Sequence, residues 1–150
     1  KKTVEQLKAA VASIRMGDYQ AAARRALALL EADERNGVAW HVLAIAQEKC
    51  GRLSEALSAY DAALRILPED ANIAHDLARL AQRLGHLDIA EKLLLKFLSM
   101  EPGHVEGTNN LACVLRDQKR YDEAIDRLRD LIAIEPESPT LWNTIGTVLS

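Results

Sequence analysis

The chain has 150 residues, 49% of them apolar but only 4% aromatic, with 22 acids against 19 Lys and Arg for a formal net charge of -3. Acids and bases are interspersed, leaving no basic stripe for a phosphate backbone and no polybasic segment for an anionic membrane, which sets aside nucleic acid and membrane as partners. The longest apolar runs, such as Ala26 to Leu30, fall far short of the roughly 20 residues needed to span a bilayer.

The start, Lys1-Lys2-Thr3, has no initiator Met and no apolar signal core, as expected of a fragment cut from a longer protein. From there the chain repeats itself. Ala22, Ala56, Ala90 and Ala124 stand 34 residues apart, as do Gly17, Gly51 and Gly85, and Pro68, Pro102 and Pro136. The period divides the chain into an atypical repeat 3–36, repeats 37–70, 71–104 and 105–138, and a partial repeat 139–150. A fixed period of this size marks a solenoid whose units bury their apolar faces only against neighbours. Composition rich in Ala and Leu, with no β-branched runs bounded by turns, makes it all-α.

Within each repeat a first helix of about 14 residues is expected to end at the glycine, which tolerates the left-handed conformation of a helix C-terminus. Lys119 breaks that column. Asn36, Asp70, His104 and Ser138 share the column ahead of each first helix, and the Asn, Asp and Ser can accept a bond from its free N–H groups. Pro139 suits the first helical turn. Second helices open at Tyr19, Leu53, Leu87 and Tyr121, and the stripe Ala56, Tyr60, Ala63, Leu64 and Leu67 gives one of them a single buried face. Short connections make consecutive helices antiparallel neighbours.

Trp40-x-x-Leu43-Ala44 and Trp142-x-x-Ile145-Gly146, then Ala56-x-x-x-Tyr60, Ala90-x-x-x-Leu94 and Ala124-x-x-x-Leu128, then the three prolines, follow the pattern of the tetratricopeptide repeat. The chain resembles that family over nearly its whole length. The resemblance implies a right-handed superhelical solenoid of antiparallel helix pairs, about four repeats plus one extra helix, whose first helices line a concave groove for a peptide or partner protein. On that reading the groove residues are Leu7, Val11, Ile14, Val38, His41, Val42, Ile45, Asn72, His75, Asp76, Arg79, Asn109, Asn110, Arg116 and Asn143. Trp40 is expected to be buried between the helices of its own repeat and the one before. In the first repeat Gln6, Ala9, Ala10 and Ser13 occupy the places of bulky core residues, while Val4, Leu7, Val11 and Ile14 form an apolar stripe on the groove side. Either this terminal helix is rotated or the N-terminal end of the groove is apolar. Members that grip a chaperone's terminal carboxylate use lysine, arginine and asparagine. Here the matching columns hold His41, Ile45, Asp76, Glu106 and Asn110, so the cations are missing.

No catalytic constellation stands out. His41 and His75 share a column, but helices packed about 8–10 Å apart hold them too far apart for shared metal ligation, and no Cys or acid stands at ligand spacing. They read as groove-lining, with His86 and His104 solvated in turns. Single glycines at helix ends make no phosphate loop, and no nucleophile elbow is present. No metal, cofactor or catalytic residue is therefore assigned. Cys50 and Cys113 lie two repeats apart, too distant to pair, and read as small buried hydrophobes in a reducing compartment, the cytoplasm. Asn109-Asn110 reads equally as a clamp for peptide amides or as solvated surface.

Two functions remain: a scaffold or adaptor that binds a partner's peptide or helix, or the non-catalytic repeat region of a larger bacterial enzyme such as a sulfotransferase or glycosyltransferase. Residues 139–150 supply a first helix with no second helix to cover it. A homodimer is therefore expected, through the truncated C-terminal end with Trp142 and Val148 at the contact, or through the apolar N-terminal end of the groove.

Overall fold

The computed structural model describes residues 2–150; Lys1, which opens the N-terminal tract, lies outside them. Among the described residues there are nine α-helices and no strand: α1 (Lys2–Arg15), α2 (Tyr19–Ala32), α3 (Gly37–Lys49), α4 (Leu53–Ile66), α5 (Ala71–Arg83), α6 (Leu87–Met100), α7 (Val105–Asp117), α8 (Tyr121–Ile134) and α9 (Pro139–Leu149). The starts of α2, α4, α6 and α8, like those of α3, α5, α7 and α9, keep the 34-residue step. The chain forms two compact units, Lys1–Ile73 and Ala74–Ser150, with the boundary inside α5.

The first helices end alike. Gly17, Gly51 and Gly85 take φ of 78°, 82° and 82°, and Lys119 takes the same left-handed conformation at 65°. Each turn closes with the bond pair of a Schellman motif: Lys119 N–H donates to Arg116 O and Arg120 N–H to Leu115 O, both at 2.8 Å. The lysine keeps the turn instead of relaxing it. At the helix starts, Asn36 Oδ1 accepts from Ala39 N–H at 3.1 Å and Asp70 Oδ1 from Ile73 N–H at 3.2 Å. The other two positions in this column reverse the expectation. His104 Nδ1 accepts from Gly107 N–H at 2.9 Å, so this histidine is a cap and not a solvated turn residue, whereas Ser138 makes no side-chain cap bond and leaves the N-terminus of α9 to Pro139.

In the first unit α1 packs on α2 and α3, α2 on α3, and α3 on α4. Ala10 and Ala44, one repeat apart, are fully buried, as are Ala22 and Ala56. The second unit repeats this with Ala78 and Ala112, then Ala90 and Ala124. Small residues let helix axes close up, and Leu29, Leu43 and Tyr60 in one unit, Leu94, Phe97, Leu111 and Leu128 in the other, fill the space beside them. The fit is local: a methyl on Gly107 would lie 2.5 Å from Phe97 Cε2, so this helix accepts a glycine in order to admit the ring.

Two residues, Trp40 and Val148, do not lie where the sequence put them. Trp40 is half-buried, not enclosed between repeats; its Nε1–H donates to Glu34 O at 2.9 Å, which lays the indole over the turn before α3. Trp142 does the same with Pro136 O at 2.8 Å. An indole N–H needs a partner, and the turn carbonyl six residues back supplies it. Val148 is only 5% exposed, on the stripe Leu141, Thr144 and Val148 that α9 buries, so it is core and no part of a self-association surface. Trp142 at 53%, Leu149 at 69% and Ile134 at 72% exposure are the apolar groups that this end presents.

Because Lys119 alone of the four turn residues carries a Cβ at positive φ, Lys119→Gly should stabilise the protein by about 1 kcal/mol, the usual cost of a left-handed L-residue. A rise in melting midpoint of about 2–4 °C is expected, and none for Lys92→Gly in the exposed middle of α6, where glycine should destabilise.

Candidate partner-binding surface

The first helix keeps the column register of the later ones. Ala10 is fully buried and Ser13 buried, its Oγ donating to Ala9 O at 3.0 Å, so small residues sit inward and the apolar stripe is turned outward. Leu7, Val11 and Ile14 are half-buried. Counting 34 onward, they share columns with His41, Ile45 and Glu48 of α3, which packs against α1. Val38 is exposed and Ile45 half-buried on the same face. Val42 is not available there. At 5% exposure it is a core residue, because its place on α3 lies a step round from the His41–Ile45 column, toward Leu43 and Ala46. Asn72 is exposed at the first turn of α5.

His41 stands with its ring centroid 5.9 Å from that of Tyr60, a buried residue whose hydroxyl donates to Glu48 Oε1 at 2.8 Å. This link between α4 and the C-terminal turn of α3 holds an acid at the edge of the apolar face. Nothing in the sequence pairs Tyr60 with Glu48 beyond the rule that a buried phenol finds an acceptor.

In the second unit His75 does not line an open groove as a free imidazole. It stacks on Phe97 with centroids 4.7 Å apart, meets His104 edge-on at 5.7 Å, and its Nε2 lies 3.0 Å from Asn110 Nδ2. An amide nitrogen only donates, so His75 Nε2 accepts and its proton sits on Nδ1. Burial lowers the His75 pKa from the ordinary 6.5; Glu106 and Asp76 oppose this, Arg79 and His104 add to it. Half of the Asn109-Asn110 pair is thereby committed to the protein itself. Asn109 Oδ1 is buried without a hydrogen-bond partner.

The remaining polar residues form short local sets. Arg79 pairs with Asp76 at 3.0 Å on α5. Arg116 on α7 donates to Thr147 Oγ1 of α9 at 2.9 Å and to Asp117 at 3.1 Å, and Asn143 is exposed nearby on α9. Cys113 in the same column is half-buried; burial raises its pKa, with Asp117 adding to the rise and Arg116 and a bond to Thr144 opposing it. Cys50 is exposed, contrary to the reading as a buried hydrophobe, because it caps the end of α3 where the chain turns outward. Away from these columns Arg120 ties α8 to α6 through Glu91 at 2.7 Å and also binds Glu123, whose pKa it lowers.

Two family models described as tetratricopeptide repeat match residues 37–80 and 75–139. The chain belongs to the tetratricopeptide repeat family. It is 46% identical over 145 residues to Protein FlbA of Caulobacter vibrioides, covering 97% of this chain and 24% of that protein. Tetratricopeptide repeat protein 7B of Homo sapiens is 28% identical over 99 residues, 66% of this chain and 12% of its own length. The chain thus spans about a quarter or less of the length of these two relatives. Among solved structures, MamA protein superposes with a TM-score of 0.88 at 18% identity, covering 97% of this chain and 80% of that one. A tetratricopeptide repeat protein from Parabacteroides merdae also gives 0.88, at 19% identity over 97% of this chain and 58% of its own. These likenesses establish an array of tetratricopeptide repeats. Among the described residues no group of three or more His, Cys, Asp or Glu is placed to hold a metal ion, and no helix is long and apolar enough to cross a membrane.

Acidification tests the His75 cluster. With its folded pKa depressed, His75 contributes stability that is complete above its unfolded pKa near 6.5 and is lost as pH falls through that value toward the folded pKa, because the unfolded chain takes the proton first. The melting midpoint should fall between about pH 7.5 and about pH 5, and less steeply for His75→Gln, which keeps a group able to bond Asn110 but does not titrate. Equal slopes would show that other groups carry the pH dependence.

Proposed function

We propose that this chain is a protein-interaction module that holds a peptide or helix of a partner along the groove columns of its first helices. The repeat family and fold support a protein-interaction scaffold. The observation that carries the finer reading is the outward apolar column of the first unit, where Leu7, Val11 and Ile14 continue into Val38 and Ile45 with Glu48 and His41 at its edge. Contiguous apolar surface rimmed by polar groups suits the apolar stripe of an amphipathic partner. In the second unit, taken by itself, the corresponding columns carry His75, Asp76, Arg79, Asn109, Asn110, Arg116 and Asn143, which suit polar groups of a peptide. A terminal-carboxylate grip is not expected, since Asn110 is engaged by His75 and the cationic columns are absent.

Val38→Glu should abolish capture of the partner in a pull-down while leaving helicity and melting unchanged, since the side chain is exposed. Val42→Glu should unfold the first unit, because it would bury an unpaired carboxylate. Val38→Glu protein that is folded and binds as before would count against the groove reading.

A second reading, the repeat region of a larger enzyme, is favoured by the match to Protein O-mannosyl-transferase TMTC1 of Homo sapiens, 28% identical over 89 residues but only 10% of that protein. A Rossmann-like βαβ pattern with a phosphate-binding loop in the same polypeptide would support it, and further repeats the scaffold. We also propose that copies of this chain associate through the exposed Trp142, Leu149 and Ile134. Light scattering over a concentration series should give a mass that rises for the parent and stays monomeric for Trp142→Ala with Leu149→Lys.

A further inference from the structure

The first unit holds a cleft of about 320 Å3 between α2 and the C-terminal end of α3, lined by Gln20, Ala23, Arg24 and Leu27 from α2, Ala46, Gln47 and Cys50 from α3 and its cap, and Arg52 from the turn before α4. Cys50 follows His41 by nine residues, which at about 100° per residue is two and a half turns, so the cleft lies on the face of α3 opposite the groove column. It is separate from the surface described above.

Three observations define what it takes. Both charged groups lining it are arginines and no carboxylate does, although the chain as a whole carries a net charge of -3. Among the described residues neither Arg24 nor Arg52 makes an ion pair, so both guanidinium groups are available for a planar anion. The half-exposed Leu27, with Ala23 and Ala46, supplies an apolar wall beside these groups. A carboxylate and an apolar flank together describe an acidic residue within a peptide: its carboxylate for the arginines and a neighbouring aliphatic side chain for Leu27.

We propose that this cleft is a second docking site, for a short acidic segment of a partner protein, used alongside the groove and independent of it. Cys50, exposed in the cleft, reports occupancy. The probe is the acetylated and amidated tripeptide Leu-Glu-Leu, titrated to millimolar concentration while alkylation of Cys50 by iodoacetamide is followed by mass spectrometry, with Cys113 as the internal control. The peptide should slow alkylation of Cys50 severalfold and leave Cys113 unchanged, whereas Leu-Gln-Leu should not protect. Arg24→Gln with Arg52→Gln should weaken protection by about tenfold or more at unchanged melting midpoint. Equal protection by the neutral peptide, or protection that survives loss of both arginines, overturns the proposal. Protection by glutarate as strong as by Leu-Glu-Leu overturns the peptide assignment and leaves a small dicarboxylate site. The neutral-peptide comparison needs no variant, and Val38→Glu protein should be protected like the parent, so failure here and failure of the groove reading are told apart.

Discussion

Close approach of helices at alanine is the constraint on which each unit depends. Ala10 and Ala44, with Ala22 and Ala56, and again Ala78 and Ala112, with Ala90 and Ala124, are fully buried where helices of one pair meet each other and the next pair. A larger residue at any of these columns would push axes apart beyond the roughly 8–10 Å at which neighbouring ridges interlock. It would also uncover the Leu, Tyr and Phe that fill the intervening space. Cores of this kind have no centre; each helix is stabilised mainly by its sequence neighbours, and stability is close to a sum of pair terms.

That dependence on neighbours explains how much of the fold was legible. A period of 34, a glycine where each first helix stops and an alanine in each second helix are local requirements, so they repeat in the sequence as they repeat in space. Lys119 shows the strength of the rule: with three glycines setting the turn, the fourth adopts their left-handed geometry despite its side chain. His104 and Ser138 show its limit. Residue type suggested that the serine would cap and the histidine would not, but a cap is decided by which atom faces the free N–H, and imidazole Nδ1 serves when Phe97 and His75 hold the ring in place.

The candidate surface was legible only as columns. Spacing places Leu7, His41, His75 and Asn109 on equivalent faces, but not what each touches. Val42 lies one step round the helix from the outward column and is core; Trp40 lies on the turn because its N–H needs the Glu34 carbonyl; His75 is drawn inward by Phe97 and Asn110. None of these depends on period. Each follows from the need to satisfy a polar atom or to close a small gap, which is specified by residues 6 to 35 positions away and by helix rotation of a few tens of degrees.

The same accounting bears on how a partner would be read. Residues of the candidate surfaces already held within their own unit, such as Asn110 by His75, Glu48 by Tyr60 and Arg116 by Thr147, would lose little further side-chain freedom on binding and would present fixed donors and acceptors. The apolar column Leu7, Val11, Ile14, Val38 and Ile45 has no such tethers and can adapt to differing aliphatic side chains. Within the first unit, a surface made of an adaptable apolar stretch beside the pinned Glu48 would draw its affinity from the first and its discrimination from the second, because a mismatched ligand leaves a fixed polar group desolvated and unpaired. Loss of discrimination without loss of affinity is therefore the signature expected when a pin, not a contact, is removed, and Tyr60, which is fully buried but holds Glu48, is the residue in which those two effects separate most cleanly.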